Sequence, residues 1–439
     1  MTPDELERLY ALLRVPSISA LPAHAPDMRR AAELVAEEVR RAGGTARIED
    51  GAHPLVIGEV PASSGDAATQ RVIVYGHYDV QPPGDPALWT SPPFAPEIRD
   101  GDLYARGASD DKGNLFMLLA AVQRLRAAGA LPVHVSVVVD GEEETAGDSA
   151  VRHLETDTAP AVAALIFDIA MAGPERPAIC AGLRGLVYRR VRVRAAAGDA
   201  HSGLFGGAAL NAAHALVQML AAVAPREGRL PAPLYAGLAA PAPEEEAAWD
   251  ALPPGARVLD EAGLRPADPA AAEAFYRRTT AEPSLDVHGL ACGDPSAVKT
   301  NLPAEATATL SLRVAPGQDA HALAQVLDRL LHEAAPAGAE VTIEDHGVAR
   351  PALLDPRTPA LAAAMRAIAS ATGWPCVPIR SGGSIPVVAA LAARGVPTVL
   401  GGFALPDDAI HAPDEHLRFA HLETGTRAAM EILTELGGL

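Results

Sequence analysis

Val72-Ile73-Val74-Tyr75-Gly76-His77-Tyr78-Asp79-Val80 decides how this 439-residue chain is read. A short apolar run, of the length a buried strand needs, meets a glycine and then His-x-Asp. In extended chain, side chains two apart project to the same side, so His77 and Asp79 converge on one point. An imidazole there can bind a metal while the carboxylate holds its other nitrogen. An isolated His-x-Asp is often only a surface pair, so its meaning rests on its surroundings.

Downstream, Gln81 to Gly107 is rich in Pro, Gly and Asp and reads as a long loop of the kind that carries function. It ends in Arg106-Gly107-Ala108-Ser109-Asp110-Asp111-Lys112-Gly113-Asn114. A helix follows, with Leu115, Leu118, Leu119, Val122 and Leu125 on one face. Val133 to Val139 is a buried strand ending in Asp140-Gly141-Glu142-Glu143-Glu144. A helix near 148–155 leads to a further buried strand, Val162 to Phe167, ending in Asp168. Upstream, helices over 4–14 and 27–42 and a strand over 54–60 precede a polar loop at 63–69 and the strand 71–75. This alternation predicts a parallel sheet covered by helices. In such sheets ligands sit beyond the carboxyl ends of the strands. His77, Glu142 to Glu144 and Asp168 follow strand ends, and Asp110 lies on a loop entering a helix. Topology alone gathers them on one edge.

From about Leu183 the texture changes. Val187, Arg189, Val191 and Val193 alternate with Tyr188, Arg190, Arg192 and Arg194, the form of a half-exposed strand. A helix over 208–224, strands 284–289 and 306–314, a helix 319–334 and a strand 340–346 complete a β-α-β-β-α-β unit. An Ala/Pro/Glu-rich, partly helical insertion spans about 226–282. Helix and buried-strand texture then returns: helix 358–371, loop 380–386, strand 396–400, loop 401–415 and a last helix from about 420. The expected architecture is α/β, a mostly parallel sheet sandwiched by helices, with an inserted α+β two-layer domain. Residues 1–183 and 351–439 form the first domain and 184–350 the second.

Lys plus Arg number 36 against 55 Asp plus Glu, a formal charge of −19. That argues against nucleic acid or an anionic membrane as partner. Cys180, Cys292 and Cys376 form no C-x-x-C, so neither a disulfide framework nor a thiolate zinc site is expected. Met-Thr-Pro-Asp-Glu-Leu-Glu reads as a capped helix start rather than a signal peptide, and no apolar run reaches membrane-spanning length. A cytoplasmic location is the simplest expectation. Only Lys112 and Lys299 are lysine among the basic residues; each is either a chance survivor of an arginine bias or a position where a planar guanidinium would not serve.

Asp, Glu and His without thiolate suit Zn, Mn or Co. Two metals about 3.5–4 Å apart, sharing one carboxylate and one water, polarise a carbonyl and make hydroxide available near neutral pH. A separate carboxylate must take the water's proton and pass it to the leaving amine. The Glu142 to Glu144 run can supply both a ligand and that base, because adjacent side chains diverge. Elsewhere such a run is usually a solvated loop; directly after a buried strand, on the edge of His77, it reads as part of a site. No G-x-S-x-G, P-loop, G-x-G-x-x-G or H-E-x-x-H supports a rival chemistry.

Gly76-His77-Tyr78-Asp79-Val80, Gly107-Ala108-Ser109-Asp110-Asp111-Lys112-Gly113 and Gly141-Glu142-Glu143-Glu144 together resemble the dinuclear metallopeptidase family of carnosinase-type dipeptidases, carboxypeptidase G, acetylornithine deacetylase and succinyl-diaminopimelate desuccinylase. Ala200-His201-Ser202-Gly203-Leu204-Phe205-Gly206-Gly207, Arg380-Ser381-Gly382-Gly383-Ser384-Ile385-Pro386 and the long insertion point to the dipeptidase branch. The resemblance implies two divalent metal ions, Zn first, with Mn or Co as alternatives. His77 and Asp168 each bind one metal, Asp110 bridges both, and Glu144 and His411 bind the second. Glu143 is the general base and Asp79 orients His77. The Asp110–Asp111 peptide is cis, and the inserted domain is a lid and dimerisation domain in a homodimer. His201 reaches the partner subunit's active site and stabilises the oxyanion. Arg313, Asn301 and the loop with Arg380, Gly382, Gly383 and Ser384 bind the substrate. The implied reaction is hydrolysis of the amide bond of a dipeptide or short peptide; the alternative is an N-acyl or N-carbamoyl amino acid amidohydrolase using the same site. Thr145-Ala146-Gly147 and Ser381, where an acidic residue is frequent, depart from the pattern and leave the finer substrate open.

Overall fold

A computed structural model describes residues 1–439 apart from 66–68, 242, 251, 295, 297 and 298, and apart from the side chains of 244 and 248. Part of the expected 63–69 loop therefore lies outside the described residues. Two units emerge: Met1–Ala181 with Leu354–Ile379 and Pro386–Leu439, and Gly182–Leu353 with Arg380–Ile385.

In the first unit, Arg71–His77 is a strand whose residues 72–77 are all buried, as a strand covered on both faces must be. It pairs in parallel with His134–Asp140 on one side and Ala163–Phe167 on the other. Thr398–Gly401 adds a fourth parallel strand beside Ala163–Phe167. Leu55–Val60 and Thr45–Glu49 extend the other edge antiparallel, making six strands. The outermost, Thr45–Glu49, is not expected from the sequence. Its burial alternates between exposed and half-buried, with only Ala46 and Ile48 on the inner face, too short an apolar set to stand out.

The helix Lys112–Ala127 buries almost its whole circumference, including Leu115, Phe116, Met117, Leu118 and Leu119. At roughly 1.5–3 kcal/mol for each large apolar side chain fully buried, this helix is a main source of the unit's cohesion. It packs against Pro3–Leu13, Ala25–Arg41 and Phe419–Leu436. Pro3–Leu13 has the capped start its sequence promises, and more: a capping box in which Thr2 and Glu5 bond each other's backbone N–H. Lys112 reaches back to the far end of that helix, where its Nζ donates to the carbonyls of Leu12 and Val15 at 3.2 and 2.7 Å.

The second unit is built on a four-stranded antiparallel sheet in the order Ser284–Ala291, Glu305–Val314, Gly185–Arg194, Glu340–Ala349. Helices Ala212–Val223 and Ala320–Ala334 pack on this sheet and on each other. The apolar half of the alternation, Val187, Val191 and Val193, faces them and is fully buried. No helix among the described residues is long and apolar enough to cross a membrane.

Candidate active site

The four parallel strands of the first unit end at one edge, and each delivers chemistry there. His77 is the last residue of its strand, not the second residue past it as the sequence suggests, and pairs in register with Asp140. Gly76 precedes it because the Asp111 carboxylate occupies the space a side chain would need: a Cβ there would lie 2.7 Å from Asp111 Oδ2. That same oxygen accepts the His77 N–H at 3.1 Å. Asp168 follows Ala163–Phe167, and its N–H bonds the Gly401 carbonyl. Beyond Gly401 the chain enters an irregular stretch that carries His411 in a left-handed conformation, φ 63°. The Asp110–Asp111 peptide is cis.

Asp110 stands at the centre. Its Oδ1 lies 3.1 Å from His77 Nε2 and its Oδ2 2.8 Å from His411 Nε2. His77 Nε2 is also 3.8 Å from Asp168, and His411 Nε2 is 3.2 Å from Glu144. Two groups of potential ligands thus share one carboxylate: His77, Asp110 and Asp168, and Asp110, Glu144 and His411. Burial works against charge on Asp110, but hydrogen bonds from His411 and His77 hold its carboxyl below the usual range. Its bonds to Asp110 and Glu144 push His411 up to about 10.

The three adjacent glutamates diverge. Glu142 is buried and turns inward, accepting from His53 N–H and Ser149 Oγ at 2.9 Å each. Glu144 turns to His411 and also accepts from Gln81 Nε2 at 2.9 Å. Glu143 sits half-buried between them in the field of His77, Asp168, Glu144 and Asp110. Burial, with the neighbouring carboxylates, pushes it up to about 8. Asp79 does more than flank His77. Its main-chain oxygen is 3.1 Å from His77 Nδ1, its carboxylate 3.4 Å away, and its Oδ2 accepts the Glu144 N–H.

Sequence reasoning misses the groups that hold the loops. Glu415 is fully buried; its Oε1 accepts from the N–H groups of Gly107, Ser109 and Asp110 at 3.0–3.1 Å. Arg106, 1% exposed, donates to Glu415 Oε2 at 2.5 Å. Asp408 accepts from Ser109 Oγ and Leu405 N–H at 2.8 Å, and Asn114 links Ser109 O to Phe403 N–H. Only the His411-to-Glu415 spacing hints at this, and it carries no periodicity.

The second unit holds the remaining predicted residues. His201 caps the short turn Ser202–Phe205 and pairs in a two-residue ladder with Asn301; both are exposed. Arg313 Nη1 is 3.3 Å from Ser384 Oγ, which itself donates to the Arg184 carbonyl. Arg184, absent from the sequence reading, donates to Gly382 O, Arg278 O and Ser284 Oγ. Burial, reinforced by Arg313, pushes its guanidinium down to about 10. Gly382 is required by its setting, since a Cβ would sit 2.6 Å from the Thr279 carbonyl, whereas Gly383 has room. Arg380 is 5% exposed in its side chain and is engaged by Glu245, from the insertion, at 2.6 Å.

A profile of the peptidase family M20/M25/M40 matches residues 73–435. The chain is 30% identical over 461 residues to a cysteinylglycine-S-conjugate dipeptidase of Corynebacterium striatum, covering 100% of this chain and 97% of that one. Identity to the human Beta-Ala-His dipeptidase is 28% over 345 residues, 72% of this chain and 66% of that one. Among solved structures, an M20 family metallo-carboxypeptidase from Sulfolobus solfataricus matches with a TM-score of 0.88 at 25% identity, over 100% of both chains. The chain belongs to peptidase family M20/M25/M40, with its close relatives in the dipeptidase branch, and is a hydrolase acting on peptides.

Proposed function

We propose that this chain is a dinuclear metallodipeptidase, hydrolysing the amide bond of a dipeptide or short peptide with Glu143 as general base. The observation that carries the reading is Asp110, whose two oxygens face different histidines, each histidine paired with a second carboxylate. The donor set fits two cations. Among the described residues no Arg or Lys pairs with Asp110, Glu144 or Asp168, and Glu144 Oε1 is buried without a hydrogen-bond partner. Crowded, poorly hydrated carboxylates with only two imidazoles as positive partners are costly, and oxygen and imidazole donors suit zinc, with manganese or cobalt as alternatives.

His77 and Asp168 would hold one ion, Glu144 and His411 the other, and Asp110 both. When bound, such a pair polarises an amide carbonyl and makes a water between the ions more acidic. Glu143 accepts the proton of the attacking water and returns it to the departing amine. Its half-buried position keeps it off bulk solvent, and Asp79 steadies the His77 ring on one side and the Glu144 backbone on the other. In the second unit, Arg313, Ser384, Asn301 and the backbone at Gly382 and Gly383 would take the substrate carboxylate, with Arg380 behind them on Glu245. His201 would act on the oxyanion in the partner subunit of a homodimer, and the protein would work in the cytoplasm.

Chelation should abolish amine release from dipeptides, and zinc or manganese should restore it; activity that survives complete metal removal sinks the proposal. Glu143→Gln should lower kcat by about 10²–10⁴-fold while both ions remain. Loss of an ion instead would exchange the roles of Glu143 and Glu144. A panel of dipeptides against N-acyl and N-carbamoyl amino acids, followed by amine release, separates peptidase from deacylase.

A further inference from the structure

The stretch between Gly401 and His416 has to place the His411 imidazole without help from a helix or a ladder. Three of its non-glycine residues, Ala409, His411 and Asp414, are left-handed, with φ of 54°, 63° and 59°. L-residues avoid that region unless the surroundings hold them there. Tethers from the Asp110 side supply the hold. Arg106 Nη2 donates to the Ala412 carbonyl at 3.3 Å, Ala105 N–H to the Glu415 carbonyl at 3.1 Å, and Ser109 Oγ to Asp408. Thr90 bonds the Asp414 carboxylate through both its N–H and its hydroxyl.

Among these, the Glu415 side chain is distinct because it bonds the backbone of the shared ligand, Asp110. It lies four residues beyond His411 in the chain, and its Oε1 accepts the N–H of Asp110 itself, as well as those of Ser109 and Gly107. Its other oxygen is taken by Arg106, the same guanidinium that grips Ala412. The carboxylate has no other evident use: it is fully buried and belongs to neither group of candidate ligands. By contrast, His77 ends a central strand and Asp168 is tied to Gly401 by its own N–H. The first pair of ligands is therefore set by the sheet, the second by loops.

We propose that Glu415 is a positioning residue that couples the Asp110 and His411 loops and thereby sets chiefly the affinity of the Glu144–His411 cation site; the His77–Asp168 site shares Asp110 but keeps two ligands fixed by the sheet, so it depends on Glu415 far less. The inference rests on the two-cation reading above. A carboxylate that only stabilised the fold would affect both sites alike.

Glu415→Gln keeps the shape and one acceptor oxygen but presents an amide NH2 to groups that all donate. Metal-free wild-type and variant protein are titrated with Zn2+ against a chromogenic chelator. Wild type should take up two ions. The variant should bind the second ion about ten- to a hundredfold more weakly, the size of effect that outer partners of metal ligands show, and the first with a clearly smaller loss. With Co2+, the visible absorption of the second equivalent should change more than that of the first. Two unchanged affinities, or equal weakening of both, overturn the proposal. A wild-type chain that takes up fewer than two ions overturns the two-cation reading beneath it, so the failures are distinguishable. Should Glu415→Gln not fold, Arg106→Met decides: a methionine donates to neither Glu415 nor Ala412, so the second ion should weaken more than the first, and unchanged binding of both refutes the role.

Discussion

Lys112→Met separates two opposing effects of one buried amine. Lys112 is fully buried, and its Nζ satisfies the Leu12 and Val15 carbonyls at the C-terminal end of the first helix. Val15 N–H still serves the Leu12 carbonyl and Ser17 N–H the Val15 carbonyl, so each lost Nζ bond costs about 0.5–1.5 kcal/mol. Against this, burial pushes the amine from 10.5 down to about 7, with Glu415, Asp79 and Asp27 pulling the other way. Between those values the unfolded chain holds the proton and the folded chain does not, so wild-type stability rises with pH across that window and is flat below it. The full difference is worth on the order of 5 kcal/mol as an upper bound, about 3 kcal/mol of it between pH 6.5 and 9.5. Methionine fills similar space, donates nothing and does not titrate. The variant should therefore be close to wild type near pH 6.5 and clearly less stable near pH 9.5, the gap widening by up to about 3 kcal/mol. Urea unfolding in the presence of a chelator measures this without the pH dependence that bound metal would add. Parallel stability curves for the two proteins would refute the reasoning, because they would mean that the amine keeps its charge in the folded state.

Three further outcomes are expected. Gly76→Ala places a Cβ 2.7 Å from Asp111 Oδ2 and 3.0 Å from Leu115 Cδ1; it should cost about 1–3 kcal/mol, and an unchanged melting temperature would contradict it. His411→Ala should reduce the metal content from two ions to one per chain, read by elemental analysis after dialysis; two retained ions would remove His411 from the ligand set. Arg184→Met frees the Gly382 carbonyl and Ser284 hydroxyl, so KM for dipeptides should rise on the order of tenfold with kcat little changed. An equal effect on dipeptide amides, which lack the terminal carboxylate, would detach Arg184 from carboxylate binding.

What was legible in the chain divides along physical lines. Buried parallel strands advertise themselves as apolar runs, and whatever follows them must emerge at one edge; that is why His77, Glu142 to Glu144 and Asp168 could be placed together from the sequence. The two-layer unit was legible because its strand Gly185–Arg194 alternates and its helices carry apolar faces. The edge strand Thr45–Glu49 alternates too, but only Ala46 and Ile48 form its apolar face. The buried charges that organise the loops are harder still. Arg106 and Glu415 are 309 residues apart, Arg184 and Gly382 are 198 apart, and Arg380 and Glu245 are 135 apart. A polar side chain on a loop gives no sign of whether it faces water or a distant partner, since either choice satisfies its hydrogen bonds. Lys112 is the instructive exception. In a chain that otherwise uses arginine for positive charge, a lysine that must fit entirely inside the core could be singled out by composition alone, before any partner was known. Lys299, picked out by the same argument, is exposed. Rarity therefore marks a position to inspect, and burial decides whether the compact amine was needed there.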